Sequence, residues 1–227
     1  MTHRSVLFDL DGTLVDTIQD IATCMNRVLR RNGEEERDVE TYRRDVGWGI
    51  RALVERLIPP ERADAAYISR LADEMRREYT EHPVMDSTAY PGIPALLDEL
   101  WRSGIPTAVL SNKADEITRQ VVGIVFPNHR FVSVTGAVDG VPKKPNPESA
   151  GRLARSVGID PKEWIFLGDT AIDMETAHAA GMAPIGVRWG FRDEAELRRA
   201  GAAHMVSRPD EVLQFLEHPG VIQGVHT

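Results

Sequence analysis

The sequence is poor in cysteine, in lysine and in long apolar runs, and each shortage excludes something. A single cysteine, Cys24, in 227 residues rules out an internal disulfide; among helix-forming neighbours its thiol reads as a small core residue, which suits a reducing compartment. No apolar run is long enough to cross a membrane, and the N-terminus enters its first predicted strand too soon for the apolar core of a signal peptide. These absences predict a cytoplasmic protein with no membrane partner. Basic residues are outnumbered 27 to 35, for a net charge of −8, which argues against a nucleic-acid partner, since that would need a basic face, while leaving room for a small anion to bind locally. Only Lys113, Lys143, Lys144 and Lys162 are lysine, so arginine is the ordinary solvating cation here. Where arginine is the default, a lysine marks a place that wants a compact point charge. Three of the four cluster in Ser111-Asn112-Lys113 and Lys143-Lys144-Pro145.

What is present suffices for a full core, since 42% of residues are hydrophobic, in one large domain or one domain with an insertion. After residue 88, short apolar strands alternate with amphipathic helices, the signature of βα units and a parallel sheet. The pattern predicts helices over 91–103, 114–122, 147–157 and 170–180, the last two closed by Gly158 and Gly181. Strands are predicted over 105–110, 131–134, 164–167 and 184–187, and Trp101 and Trp164 read as core residues. Residues 16–87 differ. They hold no convincing strand and show helical periodicity over 18–31, 50–58 and 63–79. The division expected is therefore an α/β core of 1–15 and 88–227 and a helical insertion of 16–87, with hinges near Val15-Asp16 and Asp86-Ser87-Thr88.

Four short segments carry the chemistry. In Val6-Leu7-Phe8-Asp9-Leu10-Asp11-Gly12-Thr13, an apolar strand stops on two aspartates one residue apart, on the same side of its end. Two carboxylates about 4 Å apart repel by about 4 kcal/mol in a protein-like medium, and a divalent cation is the simplest reason to keep them together. Alone, the segment is equally an ordinary Asp-Gly turn. In Val109-Leu110-Ser111-Asn112-Lys113, a second strand ends in a hydroxyl before a helix N-terminus, either an anion site or a helix cap. Pro142-Lys143-Lys144-Pro145 is a rigid basic loop in which proline holds Lys144 extended. In Leu167-Gly168-Asp169-Thr170, with Asp173 four residues past Asp169, a third strand ends in a carboxylate and the next helix opens with another. Capping explains each aspartate singly but not their recurrence at a second strand end.

In this order the segments resemble the four motifs of the haloacid dehalogenase-like phosphatase superfamily, a match spanning residues 5 to 187. The resemblance implies a doubly wound, mostly parallel α/β sheet of Rossmann type with an inserted all-helical cap. It makes Asp9 the nucleophile that forms an aspartyl-phosphate and Asp11 the acid and base, with Gly12 and Thr13 shaping the turn. Ser111, Asn112 and Lys144 would hold the phosphoryl oxygens. Mg2+ would be bound by the Asp9 carboxylate, the Asp11 carbonyl and Asp169, with Asp173 in support.

Within that superfamily, residues 46–56, Tyr90-Pro91-Gly92 and Gly186-Val187-Arg188-Trp189-Gly190-Phe191 most resemble bacterial phosphoglycolate phosphatases. Trp48 stands where the resemblance leads one to expect a small polar residue. The implied partner is a small phosphorylated metabolite, best matched by 2-phosphoglycolate, in an enzyme that is a monomer or a homodimer. Its carboxylate would be read by the cap, at Gly47, Trp48 and Gly49 or by Arg43, Arg44 or Arg51. A pyrophosphatase, a sugar-phosphate phosphatase and a phosphosugar mutase share the motifs. A phospho-accepting signalling domain shares the aspartate cluster but needs neither Asp11 nor a large cap.

Overall fold

The computed structural model describes residues 3–216. Strand β1 (Ser5–Phe8) is buried along its whole length, as befits a central parallel strand covered on both faces. After a tight turn come β2 (Val15–Asp16) and the helices α1 (Ile18–Arg31), α2 (Val39–Asp45), α3 (Ile50–Leu57) and α4 (Ala65–Glu81), before β3 (Thr88–Ala89). Strands β2 and β3 pair antiparallel, with Val15 opposite Ala89 and Asp16 opposite Thr88, so the two expected hinge points lie side by side. Asp20, fully buried in the first turn of α1, ties them further. Its carboxylate accepts the N–H groups of Met85, Asp86 and Ser87 at 2.9, 2.8 and 3.0 Å.

From there the chain alternates: α5 (Ile93–Arg102), β4 (Thr107–Ala114), α6 (Asp115–Val125), β5 (Ser133–Ala137), α7 (Glu148–Val157), β6 (Trp164–Gly168), α8 (Ala171–Ala180), β7 (Ala183–Val187), α9 (Glu194–Arg199) and β8 (His204–Val206). The sheet order is β5-β4-β1-β6-β7-β8, all parallel. The chain builds outward from β1 through β4 to β5, then crosses back to lay β6 against the other edge of β1. Such a reversal opens a crevice beyond the carboxyl ends of the strands, the place where open α/β sheets bind ligands.

Val6 and Phe8 of β1 join the larger core, shared with α1, α4 and α5, while Leu7 faces the smaller one, with Phe166, Leu153 and Ala177. Gly158 and Gly181 close α7 and α8 in the left-handed conformation, as expected. Other expectations need correction. Strand β4 continues past Leu110 to Ala114, its register with β5 shifting between those residues, so Ser111, Asn112 and Lys113 belong to the strand. Helix α2 escaped the periodicity search because it has seven residues and a single buried side chain, Tyr42; its signal was Asp38, which caps Thr41 N–H at 2.7 Å. Trp164 is fully buried, but Trp101 is exposed, one step off the Ile93, Leu96, Leu97, Leu100 stripe that α5 buries. No helix among the described residues is long and apolar enough to cross a membrane.

Candidate active site

Three carboxylates converge where β1, β6 and α8 meet. Asp9 directly follows β1; its Oδ1 accepts Leu10 N–H at 2.7 Å and lies 2.8 Å from Lys144 Nζ. Asp169 directly follows β6, with Oδ1 accepting the Thr13 hydroxyl at 3.0 Å and Oδ2 accepting Phe191 N–H at 2.8 Å. Asp173 sits in the first turn of α8, where it forms a capping box with Thr170: Oδ2 accepts Thr170 N–H at 3.1 Å and the Thr170 hydroxyl at 2.7 Å. Its Oδ1 lies 2.6 Å from Lys144 Nζ, so the cap and the lysine counter-ion are one residue. Carboxylate oxygens of Asp9, Asp169 and Asp173 all fall within 4.8 Å of one another.

Burial and mutual repulsion show in their acidities. Burial, then the charge of Asp173, pushes the Asp9 carboxyl well above the ordinary carboxylate range, with Lys144 opposing. The same two causes push Asp169 up to about 7. A buried carboxylate cluster that favours protonation in this way is one that a cation relieves.

Backbone glycines make the crowding possible. Gly12 has φ 87°, a conformation that side chains avoid, and a Cβ there would collide with the Asp169 carboxylate. Gly190 lies against Asp169 in the same way, although nothing in the sequence ties residue 190 to residue 169.

Asp11 points its Oδ1 at the Thr17 hydroxyl and at Lys113 Nζ, each 2.7 Å away. Lys113 was missed as a site residue, although the rarity of lysine had already marked it. It is buried at the end of β4, paired to Asp11, with its ammonium 4.3 Å from the centre of the Tyr79 ring. Ser111 is buried beside Lys144 in the wall of one pocket. Asn112 lines the same pocket and also reaches away from it. Its amide accepts Lys144 N–H and donates to the Lys144 and Gly47 carbonyls, each at 2.9 Å, and so clamps the Lys144 backbone and touches the helical insertion.

The insertion meets the strand ends at its 46–49 turn. Gly47 and Gly49 line the pocket above Asp9, and Lys143 Nζ donates to Trp48 O at 3.2 Å. The other two cap candidates lie outside that lining. Trp48 is 40% exposed with Arg56 over its ring, and Arg51 turns outward to Glu55 at 2.9 Å and Ser69 at 2.7 Å. Arg43 pairs with Glu40 and Arg44 with Asp45, each at 3.3 Å. The pocket's cap wall is instead Ile21, Val46, Ile50, Leu53, Met75 and Tyr79.

The sequence profile of the haloacid dehalogenase-like hydrolases matches residues 6–187. The chain belongs to that family. The phosphoglycolate phosphatase of Aquifex aeolicus is 29% identical to it, over 95% of this chain and 97% of that one. The phosphoglycolate phosphatase of Chromobacterium violaceum is 33% identical, over 86% and 89%. A solved Lactobacillus delbrueckii structure, described as a candidate phosphoglycolate phosphatase, superposes with a TM-score of 0.86 at 26% identity, covering 93% of this chain and 97% of that one. Family and relatives together make this haloacid dehalogenase-like hydrolase a phosphatase.

Proposed function

We propose that the enzyme hydrolyses a small phosphomonoester, 2-phosphoglycolate first among them, through an aspartyl-phosphate on Asp9 and with Mg2+ as cofactor. The observation that carries this reading is the buried cluster of Asp9, Asp169 and Asp173 around Lys144, at the floor of a pocket beyond the strand ends. The relatives' names supply glycolate as the leaving group.

Lys144 and Leu10 N–H both engage Asp9 Oδ1, which leaves Oδ2 to attack phosphorus. As the P–O bond to the leaving group breaks, Asp11 gives its proton to the departing oxygen. It then takes a proton from the water that cleaves the acyl phosphate and restores Asp9. Thr17 and Lys113 hold Asp11 for both transfers. Ser111 and Lys144 receive the phosphoryl oxygens, and Asn112 acts as a positioning residue for Lys144. The donor set is all hard oxygen, crowded and buried, and fits Mg2+: the Asp9 carboxylate, the Asp11 carbonyl and Asp169 would hold the ion, with Asp173 in support through Lys144. When bound, the ion supplies positive charge to the phosphoryl oxygens. With all four carboxylates ionised, Lys113 and Lys144 alone would leave the site two charges negative, a poor host for a phosphate dianion, so a cation is what lets the cluster stay ionised while phosphate binds.

Residues 1–15 and 88–227 are proposed as the catalytic core and 16–87 as the cap, a division supported by the β2–β3 pairing; 217–227 lie outside the described residues. A cytoplasmic setting is supported by Cys24, whose buried thiol is pushed up to about 12, first by burial and then by the charge of Glu78.

Release of orthophosphate from p-nitrophenyl phosphate and 2-phosphoglycolate tests the reading. Exhaustive chelation should abolish turnover, Mg2+ should restore it, and Ca2+ should substitute poorly because it favours more ligands and looser geometry. Full turnover in metal-free buffer would remove the cofactor from the scheme, and no phosphate from any monoester would remove the function.

A further inference from the structure

The arginines expected to meet a leaving-group carboxylate are engaged elsewhere, and the pocket's two lysines are paired with Asp11, Asp9 and Asp173. Two neutral features remain. One is the N-terminus of α3, which opens onto the pocket through Gly49 and Ile50. It has no side-chain cap and no acidic residue in its first turn, and the N–H groups of Ile50, Arg51 and Ala52 have no acceptor among the described residues. Those N–H groups and the positive end of the helix dipole favour an anion. The other is Tyr79, on α4. It lines the same pocket at 2% exposure, and its hydroxyl has no hydrogen-bond partner among the described residues. A buried hydroxyl left unpaired forfeits the hydrogen bond it would make in water, and a ligand that pairs it recovers that loss.

We propose that the leaving-group carboxylate is bound by neutral donors, the Tyr79 hydroxyl and the uncapped N-terminus of α3, with no arginine involved. The inference rests on the phosphomonoesterase reading and deepens it: the substrate class is a phosphomonoester whose leaving group ends in a carboxylate close to the ester oxygen. Burial, then the charge of Asp11, raises the Tyr79 phenol well above its ordinary range, so it stays protonated and able to donate at any working pH. Lys113, above the ring, keeps the local potential from turning negative beside Asp11. The apolar remainder of the wall, Ile21, Leu53 and Met75, excludes water and strengthens each donor. Recognition by neutral donors also avoids a free arginine, which would compete with the metal site for the phosphate itself.

The test compares 2-phosphoglycolate with propyl phosphate, in which an uncharged ethyl group of similar size replaces the carboxylate. The ratio of their kcat/KM values reads carboxylate recognition alone. In the wild type the ratio should be at least about 100, the scale of two charge-assisted hydrogen bonds. Tyr79→Phe should lower it by about tenfold. Ala52→Glu, which places a competing carboxylate in the first turn of α3, should lower it by a similar factor. A wild-type ratio near one, or a ratio unmoved by both substitutions, overturns the proposal while leaving the phosphatase intact. Absence of turnover on both esters and on p-nitrophenyl phosphate overturns the reading on which it rests.

Discussion

The floor and the roof of the pocket are built on opposite principles. On the floor, at the ends of β1, β4 and β6, polar atoms are committed to one another: Asp9 to Lys144, Lys144 to Asp173, Asp173 to Thr170, Asp169 to Thr13 and Phe191, and Asp11 to Lys113 and Thr17. The roof, from α1, α3 and α4, is apolar apart from one phenol and the open end of a helix. A cross-linked floor fixes reacting groups in a single geometry, which phosphoryl transfer needs. An apolar roof with few donors is easily re-cut by substitution, and selectivity among esters can change there without disturbing the chemistry. The contrast predicts large, substrate-independent effects from the floor and smaller, substrate-dependent ones from the roof.

The sharpest test of the floor is its proposed nucleophile. Asp9→Asn should lower turnover by on the order of 10³-fold or more on every ester, while the circular dichroism spectrum and chromatographic radius stay those of the wild type. If mass-confirmed protein retained a tenth of the wild-type rate, the floor would not be acting through Asp9.

The floor should also govern stability against pH. Asp169, at about 7, and Asp9, also raised, bind more protons in the folded than in the unfolded chain. A carboxylate raised in this way loses folding free energy as pH rises from its unfolded value toward its folded one, and the loss levels off above that. In chelator, the melting temperature should therefore fall between about pH 4 and pH 7, the span from the ordinary to the raised value of Asp169. His129, lowered by burial, opposes this, but it does so equally with and without metal. Saturating Mg2+ should flatten the fall, because a bound cation replaces the protons. Parallel melting curves in chelator and in Mg2+ would show that the cluster does not bind the ion.

The floor was also far more legible in sequence than the roof. Asp9, Asp11, Asp169, Asp173 and Lys144 could be named because each sits beside an apolar strand or a proline in its own short segment. The sheet's periodicity then brings those segments to one edge. Even there, long-range partners escaped: Gly190 against Asp169, and the use of Asn112 on the Lys144 backbone, depend on where loops land. The cap helices were legible where a long apolar stripe existed, and α2 was lost for want of one. Of the roof residues, Gly47 and Gly49 line the pocket, whereas the arginines were named from charge and not from position. Arginines beside a glycine turn suggest anion recognition, yet on an exposed helix they find nearby glutamates first. Tyr79, within a helical stripe, is part of the larger core, and its unpaired hydroxyl, which no sequence pattern signals, sets it apart there.

Between floor and roof lies one joint with no motif to announce it. Arg192 of the core donates to the Arg43 carbonyl and, at 2.8 Å each, to the Arg44 and Val46 carbonyls at the C-terminus of α2. Helix C-termini present unpaired carbonyls that a cation satisfies well, and here the cation comes from the other side of the pocket. Arg192→Ala should destabilise the protein by about 1–2 kcal/mol in urea melts and raise KM several-fold on all esters, with kcat changed less. An unchanged KM would mean that the roof holds its place without this contact.

The smallest effect expected is also the one that separates the roof seen here from the roof read in sequence. Arg51 is half exposed, bonded to Glu55 one helical turn away and to Ser69 on α4, and absent from the pocket wall. An exposed i,i+4 pair contributes about 0.3–0.5 kcal/mol, so Arg51→Ala should shift the urea midpoint barely beyond error. It should change kcat/KM for 2-phosphoglycolate by less than about twofold, since losing so weak and remote a contact leaves the α3 N–H groups in place. Arg43→Ala should behave alike on 2-phosphoglycolate, its guanidinium lying between Glu40 and the Phe191 ring. A tenfold rise in KM for 2-phosphoglycolate in either variant, with propyl phosphate unaffected, would return carboxylate recognition to the arginines and require the cap to close further than its resting contacts allow.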